Sequence, residues 1–514
     1  MKRSIAKRLA DRKRRIKRRL QRANQEKYRR AAEDAPPVIN TGIQHYELAE
    51  KNRACVDGGI PLMHQLACRT GLVDAIDRHL HLLKIHVPYH ESDHVLNLAF
   101  NALCGGTCLQ DIELRRNEEC FLDALGADAI PDPTTAGDFC RRFDESDICS
   151  LHNAIDEARL NVWKQIDDDG FFDEATIDMD GTFVTTTGEC KQGMDISYKG
   201  TWGYHPLLLT LANTGEVLSI TNRSGNRPSE EGAAAQADRA IALCRRGGFV
   251  VVRLRGDTAF SQTEYLDGWD DDGVLFQFGY DAMPNLKTHA ENLPKSAWKK
   301  LKRPAAYQRK GPPRARPQRV KRDVIRRREF EHLELQSEEV AEFDYQPTAC
   351  DRKYRMIVVR KNISKEKGER RLFDEVRYLF YITNDHAATT AEIVFGCNDR
   401  CDQENLIAQV AGGVRALSAP VDNLVSNWAY MVMTSLAWTL KAWSALWLPV
   451  EGRWREQHAA ERQSLLRMEF KTFVNAMIKI PCQIVRGSRR VMLRVLNWNP
   501  YLPSFFRLAS VLRC

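Results

Sequence analysis

The chemistry-bearing residues of this 514-residue chain fall in three short acidic motifs. Asp178-Met179-Asp180-Gly181-Thr182 sets two carboxylates two positions apart at the end of an expected strand, where alternation sends both to one face. Two unpartnered acids there repel, and a bound cation would relieve them; a structural loop gives the same pattern without a metal. Arg255-Gly256-Asp257-Thr258 ends an apolar strand directly in an acid, at the strand end where ligands gather in open α/β sheets. Asp257 could equally cap the helix that follows. In Asn398-Asp399-Arg400-Cys401-Asp402-Gln403-Glu404-Asn405, Arg400 and Glu404 lie four apart on one helix face, which a surface ion pair would also explain. Taken together, Asp180, Asp257 and Glu404, with Asp178 as a substitute first acid, can hold two Mg²⁺ or Mn²⁺ ions about 3.5 to 4 Å apart. That arrangement activates a nucleophile and stabilises a leaving oxygen in phosphodiester displacement. No GxxxxGK[ST] loop is present, and no nucleotide cofactor is expected.

The elements that must position these acids change character along the chain. From Gly58 to Phe143 apolar residues recur at helical spacing, with Gly105 and Gly106 ending one run, so a small all-helical unit is expected. Its last helix is read as Ala136 to Phe143 behind a capping Thr in Pro131-Asp132-Pro133-Thr134-Thr135. The period then switches to strands at Thr176–Asp180, LLLTLAN and EVLSITN, a helix at Glu231–Arg246 and a buried strand at Phe249–Leu254. A helix at Gln262–Asp267 and a strand at Val274–Phe278 complete an α/β order with a mixed sheet. Strand-like runs resume at Arg355–Arg360 and Val376–Thr383, and helices are expected from Thr390 onward.

Net charge is only +8, but residues 1–30 hold fifteen Lys or Arg against two acids and residues 295–328 fifteen against one, leaving the remainder near −19. Two concentrated basic segments suit a polyanion, which the family resemblance given below implies is double-stranded DNA. The first, expected to order only on its partner, offers Arg14, Arg15 and Arg18; a solvated tail is its bland reading. Fourteen cysteines without a CxxC pair, and no recognisable leader, fit a reducing cytoplasm. Cys104 with Cys108 and Cys397 with Cys401 read as structural thiols. His205 lacks a companion set for zinc. The most apolar stretch, Leu424 to Val450, is broken by Asn427 and Lys441 and reads as packed helical core, with no membrane partner expected.

IDMDGT, KGTWGYHPLLLTLANTGEVLSITNRSGNRPSEEGA, VVRLRGDTAF and CNDRCDQEN together resemble the DDE transposases of bacterial insertion sequences, most closely the insertion-sequence "thirteen-eighty" family. The similarity runs from about Gly59 beyond Arg415. It implies an RNase H-like mixed-sheet catalytic core interrupted by a β-rich insertion, with an N-terminal helical domain and a helical C-terminal region. The layout expected is a basic arm (1–57), a helical DNA-end-binding domain (58–150), the first part of the core (170–284), a basic, β-rich insertion (285–375), the second part of the core with the Glu helix (376–425), and a C-terminal helical region for dimerisation or DNA contact (426–514). By resemblance Asp180, Asp257 and Glu404 take the three catalytic and metal-binding positions, separated by 77 and 147 residues.

Relatives often carry a Tyr three residues before the Arg and a Lys seven after the Glu; here those positions are Cys397 and Ala411, which puts the Lys phosphate contact in doubt. Arg400 and Arg223 become candidate DNA contacts, although Ser224-Gly225-Asn226 also reads as a turn. Trp298, beside Lys299 and Lys300, is the candidate for stacking on a flipped base, against a packed core Trp. Arg141 and Arg142 are the candidates at the transposon ends, against a helical dimerisation unit. The function implied is binding of terminal inverted repeats and their cleavage and transfer to target DNA by a homodimer, in the bacterial cytoplasm at the nucleoid. An RNase H-like nuclease without strand transfer, a catalytically silent DNA-binding descendant and an RNA-binding protein are the rival readings.

Overall fold

A computed structural model describes residues 3–30, 54–86, 88–166, 170–188, 190–303, 324, 327–328, 331–367, 370–487 and 490–513. The apolar runs around the acids build one nine-stranded mixed sheet from β1 (Glu174–Gly181), β2 (Leu207–Leu211), β3 (Glu216–Thr221), β4 (Val251–Gly256), β5 (Leu275–Tyr280), β6 (Lys299–Lys300), β7 (Glu331–Tyr345), β8 (Tyr354–Lys367) and β9 (Arg370–Thr383), in the spatial order β6-β7-β8-β9-β5-β4-β1-β2-β3. Only β1 with β4 and β4 with β5 run parallel; the other neighbours are antiparallel. The parallel strands alternate: Ile177, Val252, Leu254, Phe276 and Phe278 are buried apolar residues, and between them the other face carries the buried polar side chains of Asp178, Arg255 and Gln277. Helix Ala233–Gly247 crosses one face, touching β1, β2, β3 and β4. β9 joins the sheet by pairing Phe380–Thr383 with β5, so it runs unbroken across the boundary expected at 375 and 376.

Beyond β3, helix Leu424–Leu446 packs on the sheet and on helices Glu91–Leu103 and Glu145–Trp163, so the stretch read as core helix is the hub joining the helical region to the sheet. Glu216, fully buried at the start of β3, fixes this junction. Its carboxylate accepts from Arg159 Nε (3.1 Å), Trp163 Nε1 (3.0 Å), Trp443 Nε1 (2.7 Å) and Thr214 Oγ1 (2.7 Å). These donors satisfy the hydrogen-bonding capacity of a carboxylate that has no solvent around it. No helix among the described residues is long and apolar enough to cross a membrane.

Two expectations are corrected. The last helix of the helical region is Pro133–Cys140, capped by Asp132, whose carboxylate accepts from Thr135 N at 2.9 Å; Pro133 supplies the preset first-turn φ, so the helix starts three residues early. The C-terminal region is not all helical, since Cys482–Gly487 and Arg490–Val495 form a hairpin that pairs antiparallel with Ala54–Cys55. The leading basic segment, expected as one basic helix, is helical over Arg3–Arg30. It is held by buried Leu9, by Ile5 against the core, and by Arg12 Nη1 donating to the carbonyls of Val495 (2.9 Å) and Asn497 (2.8 Å). Residues 31–53 of the expected arm, and 304–323 of the second basic block, lie outside the described residues.

Candidate active site

The first two acids meet because of strand register. Asp178 of β1 pairs across the parallel ladder with Arg255 of β4, so two residues further Asp180 stands level with Asp257, just beyond the end of β4. Neighbouring strands lie about 4.8 Å apart, which brings the two carboxylates to one end of the sheet. Gly256 makes the exit possible, since a Cβ there would lie 2.6 Å from the Phe260 Cβ. Asp257 also caps the following turn, accepting from Ala259 N at 3.0 Å, so the capping reading and the site placement hold together.

The third acid arrives from far along the chain. Helix Cys401–Ala408 is tied to the sheet by buried Gln403, whose amide donates to the carbonyl of Asp178 at 2.9 Å. That contact puts Arg400 and Glu404 over the end of β1. Arg400 lies 3.3 Å from Asp180 Oδ2 through Nη1 and 3.5 Å from Glu404 Oε1 through Nη2. The Asp180 side chain is 17% exposed, that of Glu404 58%. Burial pushes the Asp180 carboxyl up to about 6; Arg400 opposes this, and the charges of Asp257 and Glu404 add to it.

Asp178 does not share this opening. Its two oxygens accept from Arg255 Nε (2.6 Å) and Nη2 (2.8 Å), and Arg255 Nη1 donates to the Gly396 carbonyl at 2.9 Å. This bidentate pair is buried and fastens β1, β4 and helix Thr390–Asp399 together, so Asp178 is a poor substitute ligand. Gln403 and Arg255 are the residues sequence reasoning passed over. Their only signal is position: Arg255 precedes Asp257 by two, as Asp178 precedes Asp180.

The donor chemistry suits a hard cation: three carboxylates, no thiol or imidazole among them, with Asp180 destabilised as an anion by its surroundings. Among the described residues no three His, Cys, Asp or Glu side chains are drawn together closely enough to hold an ion. Asp180, Asp257 and Glu404 are the residues that could hold one, and Arg400 stands between two of them as the positive charge.

The remaining candidates divide. Arg223 is buried and its guanidinium donates to the carbonyls of His205 (2.9 Å), Pro228 (3.1 Å), Ser229 (3.0 Å) and Glu231 (2.6 Å), which pins the loop around it. Trp298 is half-buried on the inserted strands, with the Arg360 guanidinium 4.1 Å from its ring centroid and Tyr378 at 6.4 Å, so one face is already covered. Lys299 and Lys300 are exposed on the edge strand β6. Arg141 is engaged by Asp138 (2.8 Å) and Asp422 (2.9 Å), whereas Arg142 is exposed with a 3.4 Å contact to the Leu82 carbonyl. Arg14 pairs with Asp11 at 2.9 Å in the N-terminal helix, where Arg15 and Arg18 are exposed. Burial pushes the Cys397 thiol up to about 12, an inert filler where relatives carry Tyr.

The mixed sheet thus carries Asp180 and Asp257 at the ends of adjacent parallel strands, and Glu404 comes from a later helix. The chain belongs to the family "Transposase DDE domain group 1", whose family model matches residues 51–514. Enzymes of this class cut and transfer DNA and generally use divalent metal ions. No curated protein matches the chain. Among solved structures, a piggyBac transposase in a synaptic complex with hairpin DNA, determined by cryo-EM, aligns over 81% of both chains at 10% identity and a TM-score of 0.36, too low to carry an argument.

Proposed function

We propose that this transposase acts on the terminal inverted repeats of an insertion sequence, cutting them and joining them to target DNA as a homodimer in the bacterial cytoplasm. The observation that carries this reading is the Arg400 bridge between Asp180 and Glu404, made at the sheet end where Asp257 stands. Asp180, Asp257 and Glu404 would hold two Mg²⁺ or Mn²⁺ ions. When bound, such a pair supplies activation of the attacking oxygen and stabilisation of the leaving oxygen.

The chain's own residues do the positioning. Gln403 fixes the height of the Glu404 helix over β1, and the Asp178–Arg255 pair keeps the two strand ends in register. Arg400 brings a planar donor fork to the place where a phosphate would enter. Water attacks first at the element's end, and the freed 3′ hydroxyl attacks the target later. The exposed arginines of the N-terminal helix, Lys299 and Lys300 on β6, and Arg142 supply DNA-backbone contacts around this centre. With its ring already covered by Arg360, Trp298 would have to exchange that cation for a base to serve in stacking.

The test is joining. A pre-cut duplex ending in the element's terminal repeat is incubated with the full-length protein, a supercoiled plasmid and Mg²⁺. Joined product that disappears with chelator supports the reading. Cleavage without any joining would make the protein a nuclease of the same core, and neither reaction would remove the catalytic reading altogether.

A further inference from the structure

We infer that the cleft between Tyr89 and helix Pro133–Cys140 takes one unstacked nucleotide of a DNA strand. The cleft lies in the helical region, apart from the acids, and encloses about 450 Å³, enough for a nucleotide-sized ligand. Its wall is aromatic: the His94 ring stacks on Phe139 with centroids 4.3 Å apart and planes 8° from parallel, and Tyr89 meets His94 edge-on at 5.6 Å. His94 and Phe139 are buried, at 5% and 1% exposed, so the half-buried Tyr89 is the ring of this wall that a base can reach, without reading a particular base.

Two cations, Lys84 and Arg142, line the same cleft and are exposed. Asp138 also lines it, with its carboxylate neutralised by Arg141 at 2.8 Å, so the rim is net basic and suits a phosphate. His94 is only 5% exposed, and its Nδ1 has no hydrogen-bond partner among the described residues. Burial holds the His94 imidazole down to about 4, so the ring is neutral at physiological pH and can accept or donate according to its tautomer. A free nucleoside monophosphate has the same chemistry. The open rim favours a nucleotide that remains attached to its strand.

This inference rests on the reading of the helical region as a DNA-binding unit, and its test separates the two. Full-length protein is titrated onto a duplex with a single bulged 2-aminopurine, onto the fully paired duplex, and onto free 2-aminopurine nucleoside monophosphate, following anisotropy for the labelled duplexes and 2-aminopurine emission throughout. The bulged duplex is expected to bind roughly tenfold more tightly than the paired one, with quenched emission. Tyr89→Ala and Arg142→Ala, both at accessible side chains, are expected to abolish that preference while far-ultraviolet circular dichroism is unchanged. Equal binding of the two duplexes without quenching, or a preference that survives Tyr89→Ala, overturns the inference. Binding of the free monophosphate as tightly as the bulged duplex overturns the strand as its source. Loss of joining with the bulge preference intact would count against the acidic centre only, and metal-dependent joining without the preference against the cleft only.

Discussion

Arg400 and Asp180 lie 220 positions apart in the chain and 3.3 Å apart in space. The guanidinium stands between Asp180 and Glu404, and it is the main influence holding down an Asp180 carboxyl that burial raises to about 6. Arg400→Ala is therefore expected to raise that carboxyl further, moving the acidic limb of the pH–cleavage profile to higher pH, whereas Arg400→Lys keeps a charge and moves it less. Cleavage rates measured from pH 5 to 9 check this; an unmoved acidic limb in Arg400→Ala would mean that the contact does not govern Asp180.

Asp180 also bears on stability. Its folded pKa lies above the unfolded value of 3.8, so the folded protein binds the proton more tightly. The resulting penalty is absent below about pH 4, grows as pH rises, and is complete above about pH 6. Asp180→Asn is expected to stabilise the metal-free protein on the order of 2 to 3 kcal/mol at pH 7.5, a gain that fades toward pH 4. Urea denaturation in chelator at both pH values measures it, and a gain of the same size at both would contradict the assignment.

The Asp178–Arg255 pair should behave in the opposite way. Removing one partner strands a buried charge, so Asp178→Ala is expected to destabilise by about 3 to 5 kcal/mol. Replacing both partners with apolar residues of similar volume should cost less than the single change. A double-mutant cycle by chemical denaturation gives the answer, and additive costs would show that the pair is not coupled.

Much of the sheet is legible in the sequence because β1 to β5 are apolar runs bounded by turn residues, and helix Ala233–Gly247 carries a clear stripe. The hairpin Cys482–Gly487 and Arg490–Val495 is not, because its alternation is diluted by Arg486, Arg490 and Arg494 in a region otherwise helical. The long strand β7 is obscured by its acids: Glu334, Glu338, Glu339 and Glu342 interrupt the apolar residues, and the neighbouring Val340 and Ala341 are buried on opposite faces. At the site, the three acids are visible as types at strand and helix ends. Which of Asp178 and Asp180 is open is not visible, because it depends on the register that sets Arg255 opposite Asp178. The surroundings of Arg223 are hidden for a related reason: a guanidinium can serve backbone carbonyls as readily as phosphates, and the sequence does not show its burial among the carbonyls of His205, Pro228, Ser229 and Glu231.

The N-terminal helix is anchored through Ile5, Leu9 and Arg12, leaving Arg14, Arg15 and Arg18 on its open sides. Replacing those three with Ala is expected to reduce the slope of log K against log salt on duplex DNA by about 3, close to 0.9 per lost phosphate contact. Filter binding across a salt series measures the slope; an unchanged slope would place the helix away from DNA.

The account turns on Asp180, Asp257 and Glu404 acting as one centre, and single-substitution cleavage assays address it most directly. On DNA carrying the element's ends with Mg²⁺, Asp180→Asn, Asp257→Asn and Glu404→Gln are each expected to lower cleavage by roughly three orders of magnitude or more while binding of the ends persists. Near-normal cleavage by any one of the three would contradict the account.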